Sequence, residues 1–319
     1  MSTISLTDGI ALPETFEGLP RIATSIVDSN TLAALYSDAS PQWRKAKEEW
    51  KVVPDPSGNA LIILFDRRGE TRILPKFRIQ SAWIVFAVKP DECWVVARTS
   101  RNIGSGELRD TTVYDSAGAV INLVEAGGAV AFIQLSENGS FWIGHDDEDA
   151  SDDAKLGGVS YFTADGSEVF HQDCVARPDT PENDGMPFWC CYALNVIGRS
   201  AWTQHYTSML ITRFNPDGGA SSWATENNGA VALALRDGIV ARVGRYDEDQ
   251  YRISAFRLKE PPRSEFIGRV AFDIEGQTPE YQPWIDGKGD TFHLVHDNKW
   301  YRLTLDEVLA RLEGGSAAV

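Results

Sequence analysis

The chain has 319 residues, of which 30 are Lys or Arg and 46 are Asp or Glu, so its formal net charge at pH 7 is −16. Hydrophobic residues make up 43% of it and charged residues 24%, a mixture typical of globular rather than disordered proteins. The negative charge argues against nucleic-acid binding and against docking on anionic membranes, because both need a basic surface. No apolar run is long enough to predict a transmembrane helix.

Residues 1–18 contain neither a basic segment nor an apolar one, so we expect no signal peptide. The cysteines Cys93, Cys174, Cys190 and Cys191 show no CxxC or Cys/His finger spacing. We therefore expect reduced thiols and a cytoplasmic protein. A disulfide between Cys174 and one of the adjacent pair is the alternative.

A repeated element begins at residue 61: an apolar strand ends in an aromatic residue, and glycine follows four positions later. The copies are Phe65 with Gly69, Tyr114 with Gly118, Phe162 with Gly166 and Phe214 with Gly218. Two weaker copies, at Phe256 and Leu303, lack the glycine. Each copy predicts a strand that enters a tight turn, which is the local signal of a β-hairpin.

Upstream of most copies lies a second pair of strands, joined by a polar turn with Gly or Pro. These pairs are residues 81–98, 130–146, 190–206, 230–245 and 281–297. Each unit of about 45 residues thus holds four strands, which is the period of a propeller blade. The chain resembles six-bladed β-propellers of the broad WD40, NHL and YVTN-like type and is similar to uncharacterised bacterial propeller proteins. The resemblance implies an all-β fold and no particular activity.

We predict one propeller domain of six four-stranded blades. The blades are expected at about residues 21–79, 80–128, 129–174, 187–227, 229–272 and 277–306. Residues 1–20 are predicted to close the ring, with residues 2–6 as the outer strand of the last blade, because a closed ring protects sheet edges. Residues 307–319 predict a short helix and tail. Residues 41–51 predict a short helix or a basic loop.

Long loops are expected on one face, here called the top face, where strand two joins strand three and strand four joins the next blade. Residues 99–110, 146–157 and 171–187 fall there, as does the segment that holds Trp43 and Trp50. The opposite, bottom face has tight turns. Because binding residues concentrate in long loops on a rigid scaffold, the top face is the predicted functional surface.

An acidic cluster is the most distinctive top-face segment. It consists of Asp146, Asp147, Glu148, Asp149, Asp152 and Asp153. Three interpretations stay open: a solvated loop without a ligand, a contact surface for a basic protein, and chelation of Ca²⁺ or another divalent metal by Asp146, Asp147 and Asp149. The EF-hand pattern is not matched, and we predict no cofactor.

Large polar residues recur at the top ends of the second strands. They are Arg98, His145, His205, Arg245 and His296. His145 and His205 are candidate acid–base groups or metal ligands beside Asp146. Alternatively, these side chains cap strand ends by hydrogen bonding to neighbouring loops.

The predicted starts of the inner strands are small or apolar. They are Ala82-Trp83, Val130-Ala131, Cys190-Cys191 and Val231-Ala232. Hydrolytic propellers hold their metal with carboxylates and amides at this place, so the pattern disfavours a hydrolase.

Trp94, Trp142 and Trp202 recur at matching positions and predict packing between blades. Trp43, Trp50 and Trp189 lie in or beside predicted top-face segments, where they are candidates either for burial or for recognition.

These observations predict a non-catalytic scaffold, a monomer whose acidic top face engages a protein partner that is itself basic. One version is an inhibitor or immunity-type protein that masks a basic toxin. The competing hypothesis is a metal-assisted hydrolase or lyase that uses His145, His205 and nearby carboxylates at the channel mouth. A third is a structural propeller without a ligand, so the sequence leaves open whether the chain is an enzyme.

Overall fold

The computed structural model describes residues 2–39, 57–79, 84–99, 111–126, 130–145, 158–172, 190–206, 208–225, 229–244, 251–281 and 283–316, and the backbone of residues 43–46 and 49–52. Its strands form six sheets arranged as the blades of a propeller. The predicted all-β fold, with six blades and a short C-terminal helix, is confirmed.

The first ten strands include blade 1 and are β1 (Thr3–Leu6), β2 (Ile10–Ala11), β3 (Thr15–Phe16), β4 (Leu19–Asp28), β5 (Thr31–Ser37), β6 (Trp43–Ala46), β7 (Glu49–Val52), β8 (Gly58–Asp66), β9 (Thr71–Ile73) and β10 (Phe77–Ile79). Blades 2 and 3 consist of β11 (Ile84–Lys89), β12 (Cys93–Arg98), β13 (Thr111–Asp115), β14 (Val120–Val124), β15 (Val130–Leu135), β16 (Phe141–His145), β17 (Val159–Phe162) and β18 (Glu168–Gln172). Blades 4 and 5 consist of β19 (Cys190–Ile197), β20 (Ser200–Tyr206), β21 (Ile211–Phe214), β22 (Ala220–Trp223), β23 (Ala230–Arg236), β24 (Ile239–Gly244), β25 (Arg252–Leu258) and β26 (Ser264–Ile274). Blade 6 consists of β27 (Trp284–Lys288), β28 (Thr291–His296) and β29 (Lys299–Thr304), and helix α1 (Leu305–Ser316) follows.

Blades 2 to 5 each pair their strands in chain order, from an inner strand at the channel to an outer edge. The inner strands of the six blades are β4, β11, β15, β19, β23 and β27. Because each blade packs between two others, both faces of its central strands are buried, so β5 and β8 are buried over nearly their whole length. Trp94 and Trp142 are fully buried in these interblade layers, and Trp202 packs against the cluster between blades 4 and 5, as predicted.

The repeated glycines form the predicted hairpin turns between the third and fourth strands. Gly69, Gly118, Gly166 and Gly218 have φ values between +78° and +87°, where glycine is favoured because it lacks a Cβ. In the first copy, the Gly69 N–H donates to the Asp66 carbonyl oxygen at 3.1 Å. The Asp66 carboxylate also accepts the N–H of Glu70 at 2.8 Å, which fixes the turn from its side chain.

The N-terminal segment closes the ring, but through a different strand from the one predicted. The outer strand of blade 6 is β2, which pairs antiparallel with β29. The predicted closing strand, β1, instead pairs parallel with β26 at the edge of blade 5. Leu6 is buried there in the same core cluster as Phe272, which accounts for this placement. Gly9 then lets the chain pass the Tyr301 ring, since a Cβ at Gly9 would lie 2.6 Å from a ring carbon.

Two further predictions concern short segments. Residues 41–51 were expected to form a helix or basic loop, but β6 and β7 form a hairpin in which Trp43 pairs with Val52. Aromatic and β-branched residues at cross-strand positions favour the strand form. Helix α1 begins with a capping box, in which the Glu307 carboxylate accepts the Thr304 N–H at 2.7 Å. Among the described residues, no helix is long and apolar enough to cross a membrane.

Candidate functional site

Most of the predicted site residues lie outside the described residues. These are Asp146, Asp147, Glu148, Asp149, Asp152, Asp153, Trp189 and Arg245. Arg98 ends β12, and only its backbone is described. His145 is the last residue of β16 and His205 is the last but one of β20, and both side chains are fully buried.

His145 lies in the layer between blades 3 and 2. Its Nε2 is 3.1 Å from the Ser160 hydroxyl, which is 2.7 Å from Nδ1 of His171. Ser160 pairs with Ile143 across the sheet and so shares its face. Ile143 packs with Val113 of blade 2, which places His145 on that side of blade 3.

His205 lies in the layer between blades 3 and 4. Its Nε2 is 2.5 Å from the Thr203 hydroxyl, and its ring meets Phe214 edge-on. Phe214 packs against Trp142 of blade 3. Burial lowers the pKa of His205 to about 3, because the apolar surroundings disfavour the imidazolium.

The sheet of blade 3 therefore separates the two histidines, and the structure does not bring them together. Each bonds to a hydroxyl of its own blade. Within the described ranges, no group of three His, Cys, Asp or Glu side chains is placed to hold a metal ion.

The described part of the top face has a wide depression at the mouth of the channel, here called the top basin. Its volume is about 960 Å³. Every blade contributes an apolar side chain to its wall: Ile22, Val85, Phe132, Tyr192, Val231 and Trp284. All of these except Tyr192 are half-buried, so their remaining surface faces solvent.

A β-bulge recurs at this mouth in four blades. The extra residues of the inner strands are Ile22, Ala131, Tyr192 and Val231, each opposed to no residue of the second strand. A bulge leaves one residue unpaired and re-aims its side chain. All four bulged residues line the top basin, so the same local irregularity builds its wall in blades 1, 3, 4 and 5.

Arg21 is the only charged side chain among the described residues of the wall. Its guanidinium donates to the Asn298 carboxamide oxygen and, at 3.4 Å, to the Leu12 carbonyl oxygen. Burial lowers its pKa from the ordinary arginine value. The rest of the described wall is apolar apart from Thr24 and the Tyr192 hydroxyl.

Below the top basin, side chains from facing blades bond across the channel. Gln134 of blade 3 donates to the Gly287 carbonyl oxygen of blade 6 at 2.9 Å. Asn195 of blade 4 donates to Leu233 at 2.7 Å and Gly289 at 2.9 Å, in blades 5 and 6. A Cβ at Gly287 would lie 1.7 Å from the Leu233 carbonyl oxygen, so only glycine permits this approach. The lower channel is therefore filled between these blades.

Two charged residues of β27 belong to this network. The Lys288 ammonium donates to the Leu135 carbonyl oxygen at 2.8 Å and to the Gln134 side-chain oxygen at 3.5 Å. Burial raises the pKa of Asp286 to about 7 and lowers the pKa of Lys288 to about 8. The sequence interpretation missed both residues, since Asp-Gly-Lys-Gly-Asp has the composition of a turn. The actual turn is at Gly289 and Asp290.

No family model and no curated protein matches the chain. Among solved structures, a chain in the crystal structure of the mitotic checkpoint complex is similar over 93% of both chains, with a TM-score of 0.53 and 8% identity. Virginiamycin B lyase from Staphylococcus aureus is 13% identical over 93% of this chain and 98% of its own, with a TM-score of 0.47. AztD from Citrobacter koseri is 12% identical over 89% and 83%, with a TM-score of 0.43. Likeness at such low identity concerns the fold alone, and by fold the chain is a six-bladed β-propeller.

Proposed function

We propose that this propeller is a non-catalytic scaffold whose top face binds a protein partner. The top basin is the observation that carries the proposal. All six blades contribute an apolar side chain to it, and Arg21 is the charged side chain of its described wall. Half-buried aromatic and aliphatic side chains at the centre of a concave surface are typical of the anchor region of protein interfaces.

The charge of the chain suggests which partner fits. In the sequence, β16 precedes and β17 follows the acidic residues Asp146, Asp147, Glu148, Asp149, Asp152 and Asp153, which we assign to the top face. A basic partner would gain in association rate from this charge, while the top basin would hold an apolar anchor. We assign Arg98, Trp189 and Arg245 to the same contact surface, and inhibition of a basic toxin is one function of this form.

The competing enzyme hypothesis has less support. It requires His145 and His205 to converge at the channel mouth, whereas blade 3 lies between them. Chelation of Ca²⁺ by Asp146, Asp147 and Asp149 remains a second use of the acidic loop. We also propose that the scaffold is monomeric and cytoplasmic, since Cys93, Cys190 and Cys191 are buried as thiols.

Fold analogy adds limited support. The similar chain of the mitotic checkpoint complex belongs to an assembly of proteins. A propeller surface can therefore serve protein association, although a shared fold alone assigns no function.

The test is affinity purification of the tagged chain from its own host at low salt, elution with about 0.5 M salt, and identification of the eluted protein by mass spectrometry. Calorimetry then compares the wild type with the top-face variant Asp146→Asn/Asp147→Asn/Asp149→Asn. The matched control, Glu70→Gln/Glu168→Gln/Asp237→Asn, makes the same change in charge at exposed positions away from the top face.

We expect the top-face variant to weaken binding at least about tenfold and the control to change it less than about twofold. Equal weakening by both variants would show that net charge, not the top face, attracts the partner. A loss of binding in EDTA that Ca²⁺ restores would favour the chelation hypothesis.

A further inference from the structure

The bottom end of the channel holds a second cavity, which the proposed function does not use. It measures about 470 Å³ and is lined by the inner hairpin turns of five blades. Val88, Leu135, Val196 and Ile197 make much of its wall apolar. Lys288 also lines it, so a lysine amine shares the cavity with aliphatic side chains.

Lys288 and Asp286 are two positions apart on β27 and therefore share the channel face of this strand. Gln134 contacts both, since its amide nitrogen is 3.4 Å from Asp286 Oδ1 and its oxygen is 3.5 Å from Lys288 Nζ. A neutral Lys288 amine could donate its two N–H groups to Gln134 and Leu135. Its lone pair would then be available for reaction.

We propose that Lys288 is a reactive amine that binds small apolar aldehydes or ketones covalently in the bottom cavity. The lysine nitrogen attacks the carbonyl carbon and forms a C–N bond. Both amine hydrogens pass to the carbonyl oxygen, which leaves as water, and the product is an imine. The step consumes one amine and one carbonyl compound and needs no oxidant or reductant.

The low pKa of Lys288, about 8, supports this assignment. At pH 8 about half of such an amine is neutral, against roughly 0.3% for a lysine of ordinary pKa. Lys89 lies on the same cavity but is paired with Glu92 at 2.7 Å, which makes it an internal comparison. Lys288 is thus the lysine of this cavity with the properties of a nucleophile.

The other charged groups at the cavity predict which carbonyl compounds bind. Asp28, Glu137 and Asp290 line it, and Asp290 is paired with Arg236 at 2.9 Å. The carboxylates disfavour an anionic compound such as glyoxylate. The aliphatic wall favours an uncharged one such as 3-methylbutanal.

The experiment treats the full chain with 3-methylbutanal and cyanoborohydride, which reduces the imine to a stable secondary amine. Peptide mass spectrometry then measures the modification rate at each lysine as pH is varied. We expect Lys288 to react at least about tenfold faster than Lys89 at pH 8, with a midpoint near that pH. We also expect glyoxylate to react more slowly than 3-methylbutanal at Lys288. At Lys76, a lysine away from the channel, glyoxylate should show no such disadvantage.

Two variants complete the test. Lys288→Arg keeps the positive charge and should abolish the fast modification, whereas Lys89→Arg should leave it unchanged. Equal rates at Lys288 and Lys89 in the wild type would overturn the proposal, and this comparison does not depend on how either variant folds. A Lys288 reaction with the pH dependence of surface lysines would also overturn it.

Discussion

The two ends of the channel are built from the same inner strands, yet they differ in shape and chemistry. The top basin is about 960 Å³ and is lined mainly by uncharged side chains, while the bottom cavity is about 470 Å³ and holds several charged groups. Bulges open the top mouth by adding one residue to four inner strands. Tight hairpin turns close the bottom, where backbone groups of different blades converge.

This difference follows from how many buried backbone groups need a hydrogen-bond partner at each end of the channel. At the bottom, facing strands come so close that buried carbonyl oxygens need hydrogen-bond donors, which Gln134, Asn195 and Lys288 supply. At the top, the inner strands enclose a larger space, and most of the side chains that line it are uncharged. The polar network thus positions the strands, and the top basin is the surface that we propose for recognition.

The closest approach in the network gives the largest expected effect. Gly287→Ala would place a Cβ 1.7 Å from the Leu233 carbonyl oxygen, so blades 5 and 6 would have to separate. We expect the free energy of unfolding to fall by about 3 kcal/mol or more in urea titrations. Gly314→Ala, in α1 with no atom within 4 Å of the new Cβ, should stabilise slightly. A Gly287→Ala protein as stable as the wild type would show that the blades are not in contact there.

Removal of a cross-channel donor should have the next largest effect. Asn195→Ala removes the side-chain partner of the Leu233 carbonyl oxygen and of the Gly289 N–H, whereas the Gly289 carbonyl oxygen still accepts the Leu235 N–H at 2.8 Å. Unsatisfied buried groups of this kind cost about 2 to 3 kcal/mol, measured as the change in unfolding free energy. Asn122→Ala, which removes an exposed hydrogen bond to Asp165, should cost less than about 1 kcal/mol. Equal losses in the two variants would argue that Asn195 does not tie blades together.

The sequence predicted features that depend on local chemistry and missed those that depend on distant contacts. The repeated glycines specify a positive φ, so the hairpin turns and the blade period could be inferred from them. Residues 2–6 and 10–11 are both strand-like, and only the burial of Leu6 and the passage of Gly9 over Tyr301 decide which one closes blade 6.

The candidate site shows the same limit. A bulged residue such as Tyr192 or Val231 lies in an apolar run and leaves no mark in the hydrophobic pattern, so the wall of the top basin could not be located in advance. Asp286 and Lys288 were taken for turn residues because their burial comes from other blades. His145 and His205 were correctly placed near strand ends. The sequence could not show that the sheet of blade 3 lies between them and keeps them apart.

The network should also make stability depend on pH. The pKa of Asp286 is about 7 in the folded chain and near 3.8 when unfolded, so the folded state holds this proton longer. Its contribution is fully present below the unfolded pKa and is lost as pH rises from about 4 to 7. Lys288 acts in the opposite direction: its folded pKa of about 8 is below the ordinary 10.5, so stability rises between these values.

Unfolding in urea at a series of pH values measures this dependence. Asp286→Asn cannot ionise, so we expect it to lose less stability than the wild type between about pH 4 and 7. Asp237→Asn, at an exposed bottom-face turn, serves as the control and should follow the wild-type curve. Parallel curves for all three proteins would mean that Asp286 is ionised and well solvated in the folded chain.

The smallest expected effect separates recognition at the top from structure at the bottom. Val231→Asp introduces a negative charge at a half-buried bulged residue of the top basin. Ile197→Asp introduces the same charge at an exposed residue of the bottom cavity. If the top basin anchors the partner, Val231→Asp should weaken binding at least about tenfold, or about 1.4 kcal/mol. Ile197→Asp should leave the affinity unchanged. Calorimetry with the partner identified by affinity purification compares them, and urea titrations show whether both remain folded. Weaker binding by Ile197→Asp but not by Val231→Asp would mean that the partner binds the bottom face.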